Sequence, residues 1–141
     1  MAISRTGDKP PLYIVHGGGG NMLFLASLAR AMPEQPIYGF QAHGIQAGDT
    51  ADPSIAAMAD RYVAELIAHS PGPYLLGGFS GGGVVALEMA NRLRALGEQV
   101  DNVVLFDSVP PGKAKPPLRV ENANFARHLL LKGPEPLKPY I

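Results

Sequence analysis

Two glycine clusters, each set directly behind a short apolar run, limit what this chain can fold into. Leu12-Tyr13-Ile14-Val15 leads through His16 into Gly17-Gly18-Gly19-Gly20, and Tyr74 to Phe79 leads into Ser80-Gly81-Gly82-Gly83. The stretches 17–20 and 77–83 together hold 9 of the 17 glycines. Glycine costs backbone entropy, so clustering of this kind marks special turns or close backbone approach rather than the interiors of elements. Short apolar runs bounded by such turns read as strands buried on both faces.

Helical patterns fill the gaps between these runs. Met22 to Met32 reads as a mostly buried helix with Asn21 as its cap, stopped by Pro33. Pro36 to Phe40 reads as a second strand and Gln41 to Ala51 as a loop. Asp52-Pro53-Ser54 reads as a helix start, with Asp52 capping and Pro53 at the first helical position. Ile55, Met58, Tyr62 and Leu66, with Ala59, Val63 and Ile67, then recur at helical spacing to about Ser70. Tyr74 to Phe79 is a third strand, Gly81 to Leu96 a third helix closed by Gly97, and Val103 to Phe106 a fourth strand ending at Asp107. Strands alternating with helices predict an α/β fold, a three-layer sandwich around a parallel sheet.

Composition narrows the function classes. With 46% hydrophobic and 17% charged residues, the chain has the makings of a packed core. A formal net charge of zero argues against nucleic acid as a partner. The absence of cysteine excludes a disulfide scaffold, a thiolate metal site and a cysteine nucleophile. The four histidines are scattered without ligand spacing, so no metal is expected and no cofactor is called for. No apolar run is long enough to span a bilayer, and residues 1–11 carry no signal-peptide core, so a cytoplasmic protein without a membrane partner is expected. Charge and proline are unevenly spread. Residues 112–141 carry a local balance of +4 against −4 for residues 1–111, and seven of the 14 prolines fall from Pro110 onward. This sets a boundary between a core, 1–111, and a proline-rich basic segment, 112–141, in which Asn122 to Leu131 reads as one short helix.

The chemistry centres on Gly78-Phe79-Ser80-Gly81-Gly82, a G-x-S-x-G sequence with a strand before it and a helix after it. A serine hydroxyl is a weak nucleophile and must stand clear of the backbone to meet a base; a sharp strand-to-helix turn lifts it there, provided its neighbours are small. The Gly81 amide then sits at a helix N-terminus, placed to donate to the oxyanion of a tetrahedral intermediate. The loop His16-Gly17-Gly18-Gly19-Gly20 ends the neighbouring strand and offers the second donor, at Gly18 or else Gly17. Asp107 leaves the sheet on the same side as Ser80, where a buried carboxylate would orient a histidine and stabilise its imidazolium.

Four segments, in order, resemble the type I thioesterase domains that end nonribosomal peptide and polyketide synthetases. They are Pro-Leu-Tyr-Ile-Val-His-Gly-Gly-Gly-Gly, Ile-Tyr-Gly-Phe-Gln-Ala, Gly-Pro-Tyr-Leu-Leu-Gly-Gly-Phe-Ser-Gly-Gly and Val-Leu-Phe-Asp-Ser, and the resemblance covers residues 10 to about 111. It implies an α/β-hydrolase core. It also implies that Ser80 takes an acyl or peptidyl chain from the phosphopantetheine thioester of a carrier protein, and that water or an internal nucleophile releases it. It further implies Asp107 as the triad acid, Gly81 with Gly17-Gly18 as the oxyanion positions, and residues beyond Gly112 as the start of a lid. The family's catalytic histidine lies downstream of the lid and has no counterpart among His16, His43, His69 and His128. The expectation is therefore an inactive N-terminal fragment whose strand at Asp107 is a bare sheet edge, prone to homo-oligomerisation.

Three rivals stand beside this reading. Gly81 to Ala86 fits a relaxed G-x-G-x-x-A pattern, which with Asp107 would suit a dinucleotide-binding module. A catalytically dead hydrolase-fold interaction module would explain the missing histidine, with the basic tail as its partner-binding segment. Within esterases, the residues alone also permit a lipase or carboxylesterase, because thioester specificity rests on the resemblance.

Overall fold

The structure, a computed structural model, describes residues 1–108; the expectations for a lid, a helix at 122–131 and His128 lie outside the described residues. Five strands form one sheet in the order β1-β3-β2-β4-β5: β1 (Ala2–Ser4), β2 (Leu12–Val15), β3 (Ile37–Phe40), β4 (Tyr74–Phe79) and β5 (Val100–Phe106). Strands β2 to β5 run parallel, as expected, with Val15 level with Phe40 on one side and with Gly78 on the other. β1 is an addition: three residues pair antiparallel to β3, too short a run to carry a pattern of its own. Among the described strands β5 forms the other edge, where Val104 and Leu105 are exposed.

The helices are α1 (Leu25–Ala31), α2 (Ile55–His69) and α3 (Gly82–Ala95). The chain steps from β2 to β3 in one direction, then crosses back past β2 to β4 and on to β5. Crossovers between parallel strands share one hand, so this reversal puts α1 on one face and α2 with α3 on the other. The core divides accordingly. All four residues of β2 are buried; Leu12 and Ile14 pack with Met22, Leu25 and Ile37, while Tyr13 and Val15 pack with Tyr62, Leu66, Met89 and Leu93. Two-sided burial explains why β2 reads as an unbroken apolar run.

Two helix starts differ from expectation. The cap of α2 is Ser54, whose hydroxyl accepts the Ala57 amide at 3.1 Å, and not Asp52. The Asp52 carboxylate is used elsewhere, accepting from Arg61 Nε and Nη2 at 3.1 and 2.7 Å. Asn21 does not cap α1 either: its side chain accepts the Leu23 amide at 3.3 Å, and the helix proper begins one turn later behind Phe24. At the far end of α3 the expected glycine stop is realised in full. Gly97 lies at φ +84°, its amide donates to Arg94, and the Glu98 amide reaches back to Leu93, the double bond pattern of a Schellman stop. No helix among the described residues is long and apolar enough to cross a membrane.

Candidate active site

The strand order reverses around β2 and β4, so the loops leaving their C-terminal ends diverge and open a crevice. Ser80 sits there, between β4 and α3, at φ +52°. A non-glycine residue in the left-handed region is strained and needs a surrounding structure that holds it. Three hydrogen bonds supply that hold. The Ser80 amide donates to the Phe106 carbonyl at 2.8 Å, the Gly83 amide donates to the Ser80 carbonyl at 3.1 Å, and the Ser108 hydroxyl donates to the Gly78 carbonyl at 3.2 Å.

The glycines around Ser80 have two different jobs. A Cβ on Gly78 would overlap the Gly82 carbonyl, and a Cβ on Gly82 would overlap the carbonyl of His16 at the end of β2. These two make the turn tight enough to project Ser80, and they bring the first turn of α3 against the β2 loop. A Cβ on Gly81 or Gly18, by contrast, would meet nothing within 4 Å. Both are exposed, so their backbones face open space beside the serine loop.

The β2 loop does lie against the Ser80 turn. Gly17 is buried, and a Cβ there would come within 2.8 Å of Phe79 Cδ1. Phe79 in turn packs on Phe24 with ring centroids 4.7 Å apart. The Gly17 carbonyl accepts from the Gly20 amide at 2.9 Å and from His16 Nδ1 at 2.7 Å. The His16 ring is buried and meets Tyr62 edge-on at 6.1 Å. Tyr62 also packs on Phe40 at 4.7 Å and donates its hydroxyl to the Gln41 carbonyl at 3.0 Å. Burial pushes the Tyr62 phenol up to about 12. The bidentate Arg61 guanidinium holds the Asp52 carboxyl below its ordinary value. This backing of α2 fixes the wall behind the glycine loop.

Asp107 follows β5 directly and, like Ser80, adopts a left-handed backbone, at φ +49°. Its side chain is exposed, not buried as the sequence suggests, because β5 is the edge strand of the described sheet. Among the described residues no histidine is hydrogen-bonded to Ser80 or Asp107: His16 is turned to Gly17, His43 lies in the β3–α2 loop, and His69 ends α2 against Tyr38 and Tyr13. The ties from Phe106 and Ser108 to the serine turn had no signal in the sequence, since they depend on β4 and β5 lying side by side. A cavity of about 300 Å³ among Tyr13, Tyr38, Phe40, Glu65 and His69 lies towards the β1–β3 edge, apart from this crevice. No group of three metal-ligating side chains occurs among the described residues.

A mostly parallel sheet with a serine on a tight strand-to-helix turn at its reversal point defines an α/β-hydrolase fold. The comparisons with known proteins are narrower. The family profile named "Thioesterase domain" matches residues 10–131, and the chain belongs to that family. It is 40% identical over 113 residues to an atromentin synthetase of Tapinella panuoides, covering 79% of this chain and 12% of that one. Among solved structures it resembles the NocB thioesterase domain of the nocardicin cluster, at 37% identity and a TM-score of 0.68, over 72% of this chain and 46% of that one. It also resembles the four-domain nonribosomal peptide synthetase AB3403, at 30% identity and a TM-score of 0.74, over 92% of this chain and 10% of that one. The chain thus spans a small part of the synthetases and about half of the single thioesterase domain.

Proposed function

We infer that Ser80 is the acyl-accepting nucleophile of a serine thioesterase. The reading has Ser80 take an acyl or peptidyl chain from the phosphopantetheine thioester of a carrier protein and release it by hydrolysis or cyclisation. In the first half-reaction Ser80 Oγ adds to the thioester carbonyl and gives its proton to a base. The tetrahedral intermediate then collapses, the C–S bond breaks, and the thiolate leaves with a proton from that base. The product is an ester on Ser80. Water, or a nucleophile within the chain, then attacks the ester and regenerates the hydroxyl. Amides of Gly81 and Gly18 are assigned to the oxyanion, with Gly17 the alternative on the β2 loop. Asp107 is assigned to orient the imidazole base. None of His16, His43 and His69 meets Ser80, so the base is assigned to a histidine outside residues 1–108.

The observation that carries this reading is the strained φ of +52° at Ser80, held by the bond to Phe106 one residue before Asp107. A glycine-rich turn without chemistry to perform has no reason to keep a serine at that backbone. The same geometry weighs against the dinucleotide-binding rival. Cβ positions at Gly82 and Gly83 point into protein atoms, so these glycines serve packing rather than approach to a pyrophosphate. The test is to treat the full chain with an alkyl fluorophosphonate and locate the adduct by mass spectrometry. An adduct on Ser80 that forms slowly, because the family's catalytic histidine has no counterpart among the chain's four, and that disappears in Ser80→Ala is the expected result. Equal labelling of the two proteins would overturn the assignment.

A further inference from the structure

His16 is a buried imidazole that the acyl-transfer reaction leaves without a task, and its Nε2 has no hydrogen-bond partner among the described residues. Its other nitrogen is committed: Nδ1 lies 2.7 Å from the Gly17 carbonyl. A carbonyl oxygen only accepts, so Nδ1 carries a proton, which in the neutral ring leaves the lone pair on Nε2. The Gly17 carbonyl therefore has two donors, this imidazole and the Gly20 amide at 2.9 Å. In a trans peptide the carbonyl of Gly17 and the amide hydrogen of Gly18 point in opposite directions. Pinning the carbonyl toward His16, inside the loop, thus turns the Gly18 hydrogen outward. No acceptor among the described residues takes it, and the space beside Gly18 is open.

The sequence makes this constraint necessary. Four consecutive glycines have the least backbone preference of any tetrapeptide, so the Gly17–Gly18 peptide plane has little in its own sequence to stop it from flipping. A donor that must reorient during the reaction loses the advantage of preorganisation. We propose that His16 is a positioning residue: its Nδ1–H locks the Gly17–Gly18 peptide so that the Gly18 amide is preset as an oxyanion donor beside Ser80. The packing of the His16 ring on Tyr62, itself held by Phe40 and Gln41, fixes the imidazole that does the locking. This rests on the Ser80 reading for its chemical consequence, but the tautomer and the peptide orientation stand apart from it.

The test uses the full chain and two kinds of measurement. Nitrogen-15 spectra of the imidazoles are expected to show His16 with a pyrrole-type Nδ1 and a pyridine-type Nε2; the opposite tautomer overturns the proposal whether or not Ser80 reacts. On phosphonylation of Ser80, the Gly18 amide proton is expected to move downfield as it bonds the phosphonyl oxygen, and an unmoved Gly18 signal overturns the proposal. The rate constant for fluorophosphonate labelling then separates locking from bulk packing. His16→Asn puts an amide N–H where Nδ1–H stood, and is expected to label within about threefold of the parent. His16→Gln and His16→Phe lack that donor, and are expected to label roughly ten- to a hundredfold more slowly, part of what losing an oxyanion donor costs. Equal rates in folded His16→Gln and His16→Phe, or equal slowing in all three variants, overturn the proposal. If the variants fail to fold, the tautomer and the Gly18 shift in the parent protein decide it. If the parent protein does not label at Ser80, the nucleophile assignment fails and the tautomer alone tests the lock.

Discussion

The amide of Ser80 donates to the carbonyl of Phe106 across 2.8 Å, and the residue after Phe106 is Asp107. This bond extends the β4–β5 pairing one step past Phe79, whose register partner is Phe106. Both chains then turn sharply, each through a left-handed residue, at Ser80 and at Asp107. The serine turn and the carboxylate are thus set at a fixed separation by sheet register, not by side-chain contact. Ser108 reinforces the arrangement by bonding back to the Gly78 carbonyl.

The strain at Ser80 has a measurable sign. Ser80→Gly relieves the left-handed backbone, whereas Ser80→Ala removes the hydroxyl and keeps the strain. Urea denaturation is expected to find Ser80→Gly more stable than Ser80→Ala by about 1 kcal/mol. Equal midpoints would mean that the turn stores no such strain.

The two classes of glycine at the turn give opposite responses to a methyl group. Gly82→Ala drives Cβ into the His16 carbonyl and is expected to cost about 3 kcal/mol or more, or to prevent folding. Gly81→Ala meets open space at φ −58° and is expected to raise stability by about 0.5 kcal/mol. Thermal melts of the two variants beside the parent protein check both signs.

Tyr62 links α2 to the wall of the site and supplies a pH-dependent contribution. Its pKa is raised by burial from 10.0 to about 12, so the stability tied to the neutral phenol is fully present below pH 10.0 and is lost as pH rises through about 12. Tyr62→Phe loses the bond to Gln41 and is expected to cost about 1 kcal/mol at neutral pH. The gap between the two proteins should close through the alkaline window. Burial also raises Tyr74, which both proteins keep, so the difference between their stability curves isolates Tyr62.

Asp52 acts at the acid end. Its hydrogen bonds from Arg61 lower the carboxyl below 3.8, so its contribution is present above that value and is lost as pH falls through the depressed one. Asp52→Asn is expected to cost about 2 kcal/mol at neutral pH, as the pair is only 10% and 20% exposed. Chemical denaturation of both proteins across the acid range should show the difference shrinking as pH falls below 3.8 and vanishing below the depressed pKa.

The chain's local rules were readable from its residues. Tyr74 to Phe79 and Leu12 to Val15 are strands because unbroken apolar runs fit a sheet covered on both faces. α3 stops at Gly97, which takes a positive φ without the strain a side chain would bring. Where residues and structure part, the reason is also local: the Asp52 carboxylate takes Arg61 while Ser54 caps α2, and Asn21 accepts the Leu23 amide ahead of α1. β1 carries no local signal because three residues form a strand only once β3 lies beside them.

By itself, the sequence determined where the chain extends, coils and turns, since periodicity, glycine placement and proline stops act over a few neighbouring residues. Only the tertiary structure decided which strand ends meet. Nothing in β2 or β4 alone says that β3 lies on one side and β5 on the other, because sheet order follows from how whole crossovers pack. That order sets His16 against the first turn of α3, Phe79 against Gly17 and Phe106 against Ser80. These contacts join residues far apart in the chain, and their geometry exists only when the sheet is complete in register.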